Sequence, residues 1–312
     1  MQLEPKKTRI DLTRFAWMSI ATALLTIGLK AGAYFLTGSV GLLSDAAESI
    51  VNLVAAVVAL VALRVAALPP GEGHHFGRTK AEYLSAAVEG IMIFVAAAFI
   101  IAASVERLIN PQPLEQVGVG LAVSMIASVL NGITAFTLMR AGRKYNSMTL
   151  SADGKHLLTD VWTSVGVVVG VGLVALSGWW QLDPIVALLV GLNIIWTGWH
   201  LISQSLDGLM DHSMSPEEHA KLAAALDEFA SEEVLFHAVR TRVAGHLAFI
   251  EMHVLVPGDW SIQRGHDLVE DVQTRIEVDF PECEVMTHLE PLEDPRSHEG
   301  FFNSLDGVNK TQ

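Results

Sequence analysis

Long apolar runs separated by short polar segments dominate the chain from residue 15 to residue 206. Six runs reach the roughly 20 residues that a helix needs to cross the hydrocarbon core of a bilayer. They lie at 15–36, 41–64, 84–107, 117–139, 157–177 and 184–206. The pattern therefore predicts a transmembrane domain of six helices over 15–208, preceded by a short cytoplasmic leader at 1–14.

After residue 208 the pattern changes to short amphipathic and alternating segments. Ser215-Pro216-Glu217-Glu218 is typical of a helix start, with a capping serine followed by proline and acidic residues. Alternating segments at 238–243 and 249–255 predict a β-hairpin, and a helix near 263–278 and a strand near 284–289 follow. The order α-β-β-α-β predicts a small open-faced α+β domain over 209–294, with a flexible tail at 295–312.

Composition and charge agree with this division. The chain is 51% hydrophobic and 17% charged, which is too apolar for a soluble protein of this length. Residues 1–208 hold equal numbers of acidic and basic side chains, so the net charge of −14 arises in the last third. Such an acidic region repels nucleic acid and anionic lipid headgroups, and attracts cations. The single cysteine, Cys283, excludes intrachain disulfides and Cys-rich metal sites.

Basic residues mark one side of the predicted bundle. They precede the first helix, flank the loop between the second and third, and follow the fourth: Lys6, Lys7, Arg9, Arg14, Arg64, Arg78, Lys80, Arg140, Arg143 and Lys144. The opposite loops carry little beyond Arg107. The positive-inside rule then predicts that both termini and the acidic domain are cytoplasmic, in a multi-pass protein of the plasma (inner) membrane.

Polar residues recur at one spacing within two of the predicted helices. The two segments are Asp45-Ala-Ala-Glu48-Ser-Ile-Val-Asn52 and Asp153-Gly-Lys-His156-Leu-Leu-Thr-Asp160. Charged groups inside a membrane cost about 2.5–3.5 kcal/mol each, so their presence indicates a function. In each segment the last two polar residues are four apart and share one helical face. Two facing helices thus supply four ligands for an ion such as Zn²⁺, Fe²⁺, Co²⁺ or Mn²⁺.

A structural role is the alternative for these residues, because polar side chains also form hydrogen bonds between membrane helices. Helix packing would explain such polar residues in one helix more easily than the same spacing in two helices. Lys30, Glu89 and Asn131 are further polar residues within the predicted spans. For these three, helix packing and a part in transport both stay open.

Several stretches together resemble the cation diffusion facilitator family, whose members export divalent metal ions in exchange for protons. They are Lys30-Ala-Gly, the segment at 39–52, His75-Phe-Gly-Arg-Thr-Lys80-Ala-Glu82, His156-Leu-Leu-Thr-Asp160 and the His-bearing C-terminal domain. The similarity extends from about residue 14 to 293 and implies a metallochaperone-like fold for that domain. It also implies a transport site of two ligands from each of two helices: Glu48, Asn52, His156 and Asp160. Glu48 and Asn52 depart from the family's usual pattern of Asp or His followed by Asp, while Asp45, Asp153 and Lys30 are candidates for a supporting role.

The same resemblance implies further sites outside the membrane. Five residues match the metal-binding positions of the cytoplasmic domain: His237, His253, His266, His288 and Glu290. Glu72, His74 and His75 lie where some relatives have a loop site, here weakened because Arg78 replaces a common ligand; a solvated loop without metal is the favoured alternative. Lys80 and Asp211 match an interdomain charge pair.

These features predict a homodimeric metal/proton antiporter that works by alternating access. Zn²⁺ or Fe²⁺ is the favoured substrate and regulator because His156 offers nitrogen, with Mn²⁺, Co²⁺ and Cd²⁺ as alternatives. No organic cofactor and no enzymatic activity are expected, since the sequence lacks a His-Glu-x-x-His run and a phosphate-binding loop. The competing hypothesis is a membrane-anchored metal sensor or assembly scaffold that does not transport.

Overall fold

A computed structural model describes residues 11–37, 40–110 and 119–298 of the chain. Within these ranges it does not describe the side chains of 36–48, 119–121, 167, 171, 172, 175 and 183. The chain divides into two compact units, which we call the helical unit, ending at Leu206, and the C-terminal unit, beginning at Asp207.

Six long helices form the helical unit. They are α1 (Thr13–Thr37), α2 (Val40–Ala66), α3 (Ala81–Ile109), α4 (Val119–Lys144), α5 (Met148–Ser177) and α6 (Leu182–Leu209), the last of which continues three residues past the boundary. The helix α5 begins nine residues before the predicted apolar run. Its start is fixed by Ser147, whose side chain caps the backbone N–H of Leu150. The early start places Asp153, His156 and Asp160 inside one continuous helix.

The helix surfaces are suited to a lipid environment. Among the described residues, five helical segments are long and apolar enough to cross a membrane: Thr13–Phe35, Ser49–Ala66, Ala81–Ile109, Ala122–Lys144 and Pro184–Leu209. Large apolar side chains such as Phe35, Phe99 and Trp196 stand 69–83% exposed on them. In water such surfaces would be costly to hydrate, whereas lipid tails accommodate them.

Small residues allow close approach between the helices. The Cβ that a side chain would add at Gly90 on α3 lies only 3.3 Å from the backbone oxygen of Gly198 on α6. At Gly154 on α5 the same atom would lie 3.0 Å from the backbone oxygen of Ala135 on α4. Such contacts are typical of membrane bundles, where backbone packing replaces the hydrophobic driving force. The second of these contacts lies on the same pair of helices as the hydrogen bond between Asn131 of α4 and Asp160 of α5.

The C-terminal unit has the predicted order of elements. It consists of α7 (Pro216–Asp227), β1 (Leu235–Ala244), β2 (Leu247–Val256), α8 (Ile262–Asp279) and β3 (Cys283–Pro291). Ser215 and Glu218 form a reciprocal capping box at the start of α7. The sheet order is β1-β2-β3, with β1 antiparallel and β3 parallel to β2. The segment expected as a tail begins with a 3-10 turn at Pro295–His298, and its remainder lies outside the described residues.

One face of the sheet packs on the two helices and the other is open. Ile250, Met252 and Val254 alternate along β2 into a core shared with Leu222 of α7 and Val272 of α8. The intervening residues of β2 therefore face away from the helices. We call this second surface the open face.

A β-bulge interrupts β1 next to the open face. The pairing register with β2 shifts between His237 and Arg240, and Ala238 has a φ of 51°. A residue with a side chain adopts this left-handed conformation at a cost of roughly 1–3 kcal/mol. The bulge lets Phe236, Ala238 and Val239 all be buried while His237 stays on the open face.

Candidate functional site

Three of the predicted transport residues meet between α2 and α5. Asn52 is 2% exposed, and His156 and Asp160, one turn apart on α5, are 5% and 9% exposed. Their burial within a span is expensive unless their polar atoms are paired. We call these three residues, together with Asn131, the α2–α5 cluster.

Hydrogen bonds join the members of the cluster. The amide nitrogen of Asn52 donates to Oδ2 of Asp160 in a short contact. Nε2 of His156 lies 2.9 Å from Oδ1 of Asn52. Because an amide oxygen can only accept, this nitrogen carries the proton, which leaves the lone pair of the ring on Nδ1.

A third helix, α4, contributes Asn131. Its amide nitrogen on α4 donates to Oδ2 of Asp160 at 3.2 Å. The sequence left the role of Asn131 open, because a polar residue in an apolar run has no partner that spacing alone can identify. The structure brings this residue to the same carboxylate oxygen as Asn52.

Two buried atoms of the cluster have no hydrogen-bond partner in the described part of the chain. They are Nδ1 of His156 and Oδ1 of Asn131. An unpaired buried polar atom costs about 1–3 kcal/mol, which a bound cation would recover. The lone pair on Nδ1 of His156, next to the carboxylate of Asp160, supplies nitrogen and oxygen donors for a divalent ion of intermediate hardness.

Four further intramembrane candidates remain. The structure does not describe the side chains of two of them, and the other two are buried elsewhere in the helical unit. Asp45 and Glu48 belong to α2, but their side chains fall outside the description. Asp153 is fully buried one turn before His156 and accepts a hydrogen bond from Ser19 on α1, at 3.1 Å. Lys30 is buried on α1, 7% exposed.

A second group of ligand-type residues lies on the open face of the C-terminal unit. His237 pairs with His253 across β1 and β2, and His253 pairs with His288 across β2 and β3. The three imidazoles therefore form one row across the sheet. Adjacent ring centroids are 5.0 Å and 4.9 Å apart.

Glu290 contacts the histidines of this row. Its Oε2 atom accepts from Nε2 of His237 at 3.0 Å and from Nδ1 of His253 at 3.1 Å. Ligand atoms of these three residues lie within 4.8 Å of one another, close enough for one metal ion. Nδ1 of the more exposed His288 is 3.7 Å from the other carboxylate oxygen.

The charge state of Glu290 favours metal binding. Partial burial raises the pKa of its carboxyl, but the hydrogen bond from His237 and the neighbouring His253 imidazole outweigh this, so the pKa lies below its ordinary value. The group is thus ionised and ready to act as a ligand. Imidazole nitrogens with one carboxylate suit Zn²⁺ and similar ions.

The remaining predicted residues are not among the three whose ligand atoms converge. His266 is exposed on α8. Glu72, His74 and His75 are exposed in a loop closed by backbone hydrogen bonds between Gly71 and His74. The last predicted pair has its members in different units: Lys80 in the helical unit, and Asp211 in the C-terminal unit, where Arg242 is 3.4 Å from the aspartate.

Both units match models of known protein families. Residues 16–210 match the family model of the cation efflux transmembrane domain, and residues 214–292 match that of the cation efflux protein cytoplasmic domain. The second model is that of a dimerising domain.

Full-length relatives are also similar. A protein of Synechocystis sp., the uncharacterized transporter sll1263, is 52% identical over 91% of each chain. The cation-efflux pump FieF of Klebsiella pneumoniae is 30% identical over 94% of this chain and 97% of that protein. Among solved structures, the Zn form of CzrB is 30% identical with a TM-score of 0.25, over 26% of this chain and 93% of that one.

Proposed function

Since the chain belongs to the cation diffusion facilitator family of multi-pass efflux transporters, we propose that it exports a divalent transition-metal ion from the cytoplasm in exchange for protons. The α2–α5 cluster carries this proposal. It places a carboxylate, an imidazole and two amides in contact inside a membrane domain. The name of the Klebsiella relative, a cation-efflux pump, supports outward transport of cations.

The ion is held by Glu48, Asn52, His156 and Asp160. Glu48 precedes Asn52 by one helical turn on α2, as His156 precedes Asp160 on α5. The set offers one nitrogen, one amide oxygen and two carboxylates. Zn²⁺ or Fe²⁺ is favoured by the imidazole, while Mn²⁺, Co²⁺ and Cd²⁺ are alternatives because oxygen donors predominate.

Protons and metal compete for the same atoms. A ligand must give up its proton to bind metal, so metal entry from the cytoplasm displaces protons from Glu48, His156 and Asp160. In the outward-open state, protons from outside displace the metal. The proton gradient across the membrane then drives export by alternating access.

The row on the open face regulates this cycle in a homodimer. Metal bound by His237, His253 and Glu290, with His288 and His266 as further ligands, draws the two C-terminal units together and biases the helical units. The dimerising character of the matched cytoplasmic-domain model supports this arrangement. Both termini face the cytoplasm, and the protein resides in the plasma membrane.

Adding a carboxylate at position 52 is expected to change the ion preference. In Asn52→Asp the position gains a charged oxygen, which strengthens binding of harder ions more than of Zn²⁺. The transport rate of Mn²⁺ relative to Zn²⁺ should rise on the order of tenfold, a difference of about 1.4 kcal/mol. Flux of each ion into proteoliposomes measures the ratio.

Asn131→Asp is the matched control, because it adds the same charge beside the same oxygen of Asp160. A general charge effect would shift both variants equally, whereas direct ligation by residue 52 shifts Asn52→Asp more. An unchanged order of ions in Asn52→Asp would show that residue 52 is not a ligand.

A further inference from the structure

Two carboxyl groups inside the helical unit lie apart from the α2–α5 cluster. Glu89 on α3 and Asp153 on α5 are both 0% exposed. Their helices pack against each other at this level: Glu82 of α3 is hydrogen-bonded to Ser147 at the start of α5, and Ala86 of α3 and Ala152 of α5 belong to one buried cluster. We call Glu89 and Asp153 the acid pair.

In each member of the acid pair, one carboxyl oxygen accepts a hydrogen bond and the other has no hydrogen-bond partner. Oγ of Ser85 donates to Oε1 of Glu89 at 3.3 Å, and Oγ of Ser19 donates to Oδ1 of Asp153 at 3.1 Å. The second oxygens, Oε2 of Glu89 and Oδ2 of Asp153, are buried without a hydrogen-bond partner. Two unpaired acceptors from different helices thus lie in one apolar region.

No described Lys, Arg or His forms a hydrogen bond or an ion pair with either carboxyl. Among the described residues, the hydrogen bonds to the pair come from the hydroxyls of Ser85 and Ser19. Two neighbouring carboxylates in a dry region cannot both stay ionised at reasonable cost. A proton on one of them removes a charge and provides a donor.

We propose that the acid pair is a proton-binding site that carries one proton in each transport cycle, taking it up from the outer side and releasing it to the cytoplasm. The inference rests on the proposed function, because it needs a metal ion to arrive nearby. Asp153 precedes His156 by three residues, which is about 4.5 Å along the helix axis. A divalent ion at His156 and Asp160 stabilises the ionised pair, so the O–H bond breaks and the proton passes to water.

The position in α5 sets the direction of this exchange. Asp153 lies in the second turn of α5, close to the loop that follows Arg140, Arg143 and Lys144. This is the cytoplasmic end of the helix by the positive-inside rule. The acid pair therefore lies between the metal cluster and the cytoplasm, so its proton is released to that side when metal binds. In the outward-open state, after the metal has left, the pair regains a proton from outside through the emptied cluster.

Glu89→Gln tests the proposal in the full-length protein. Glutamine keeps the shape of the side chain but cannot ionise. In vesicles with entrapped metal and pH indicators, the number of protons moved per metal ion should fall by about one. Glu82→Gln is the matched control on the same helix, because Glu82 is also fully buried but is bonded to Ser147; it should leave the ratio unchanged.

Two further measurements separate the outcomes. Infrared spectroscopy of the detergent-solubilised protein should show the C=O band of a buried protonated carboxyl, lost in Glu89→Gln and in Asp153→Asn. Titration with Zn²⁺ and Mn²⁺ should give the same number of bound ions in the intact chain and in Glu89→Gln.

An unchanged proton ratio and an unchanged infrared band would overturn the proposal and leave a packing role. One bound ion fewer in Glu89→Gln would also overturn it, because the pair would then be a cation site. If the intact protein moved no metal, the proposed function would fail. The infrared band would still decide whether the pair holds a proton.

Discussion

The Asp160→Asn variant is expected to lose metal transport while remaining folded. Asp160 accepts hydrogen bonds from Asn52 on α2 and from Asn131 on α4, so it joins three helices at one oxygen atom. Asparagine has nearly the same shape but lacks the negative charge that offsets the charge of the ion. We expect the transport rate to fall by about 100-fold or more, since disturbing even the partners of a metal ligand costs 10–100-fold.

Thr159→Val is the control for this experiment. Thr159 is the neighbouring residue on α5 and is 7% exposed, and its hydroxyl donates within its own helix, to the backbone oxygen of Lys155. Its replacement should leave transport within about twofold, because it removes a hydrogen bond of modest net value. Thermal unfolding of both variants checks the fold. Near-normal transport by a well-folded Asp160→Asn would exclude Asp160 as a ligand.

The second large effect is expected on the open face. Glu290→Gln removes the charge that faces both His237 and His253 while keeping the side chain in place. The affinity of the C-terminal site for Zn²⁺ should fall by about 10–100-fold. Calorimetric titration of the full-length protein in the Asp160→Asn background isolates this site from the transport site.

Glu251→Gln provides the matched change on the same face. Glu251 lies two residues before His253 on β2 and is exposed. Removing its charge tests whether general electrostatic attraction accounts for binding, and we expect the affinity to change by no more than about twofold because exposed charges interact weakly. Equal losses in the two variants would mean that Glu290 is not a ligand.

The helices and strands could be predicted from the sequence because their signals are local. Continuous apolar runs gave the long helices, and alternation around Gly245 gave the hairpin of the C-terminal unit. The spacing of His156 and Asp160 on α5 is likewise a property of one helix. Predicting these features does not require knowing which helices and strands are neighbours in the fold.

Contacts between elements could not be predicted in the same way. Asn131 meets Asp160 only because α4 and α5 pack closely, and Asp153 meets Ser19 only because α1 and α5 are neighbours. The register that aligns His253 with His288 depends on a parallel pairing of β2 and β3. Such pairings arise from packing over long sequence separations, which spacing along one segment does not encode.

The bulge at Ala238 is another such feature. Strict alternation would place His237 and Val239 on the same face of β1. The left-handed conformation of Ala238 instead buries Val239 and keeps His237 next to Glu290. An alanine gives no sequence signal for a positive φ, because glycine or asparagine is the usual residue there.

Metal flux under an imposed pH gradient tests the central claim most directly. The full-length protein is reconstituted into vesicles with entrapped metal and pH indicators, and Zn²⁺, Fe²⁺, Mn²⁺, Co²⁺ and Cd²⁺ are compared. With an acidic lumen, molecules whose cytoplasmic face points outward should take metal in while protons leave, fastest for Zn²⁺ or Fe²⁺. Reversing the gradient should slow this uptake. No flux of any ion under either gradient, with metal still bound at the open face, would contradict the transport function and favour a membrane-anchored metal sensor.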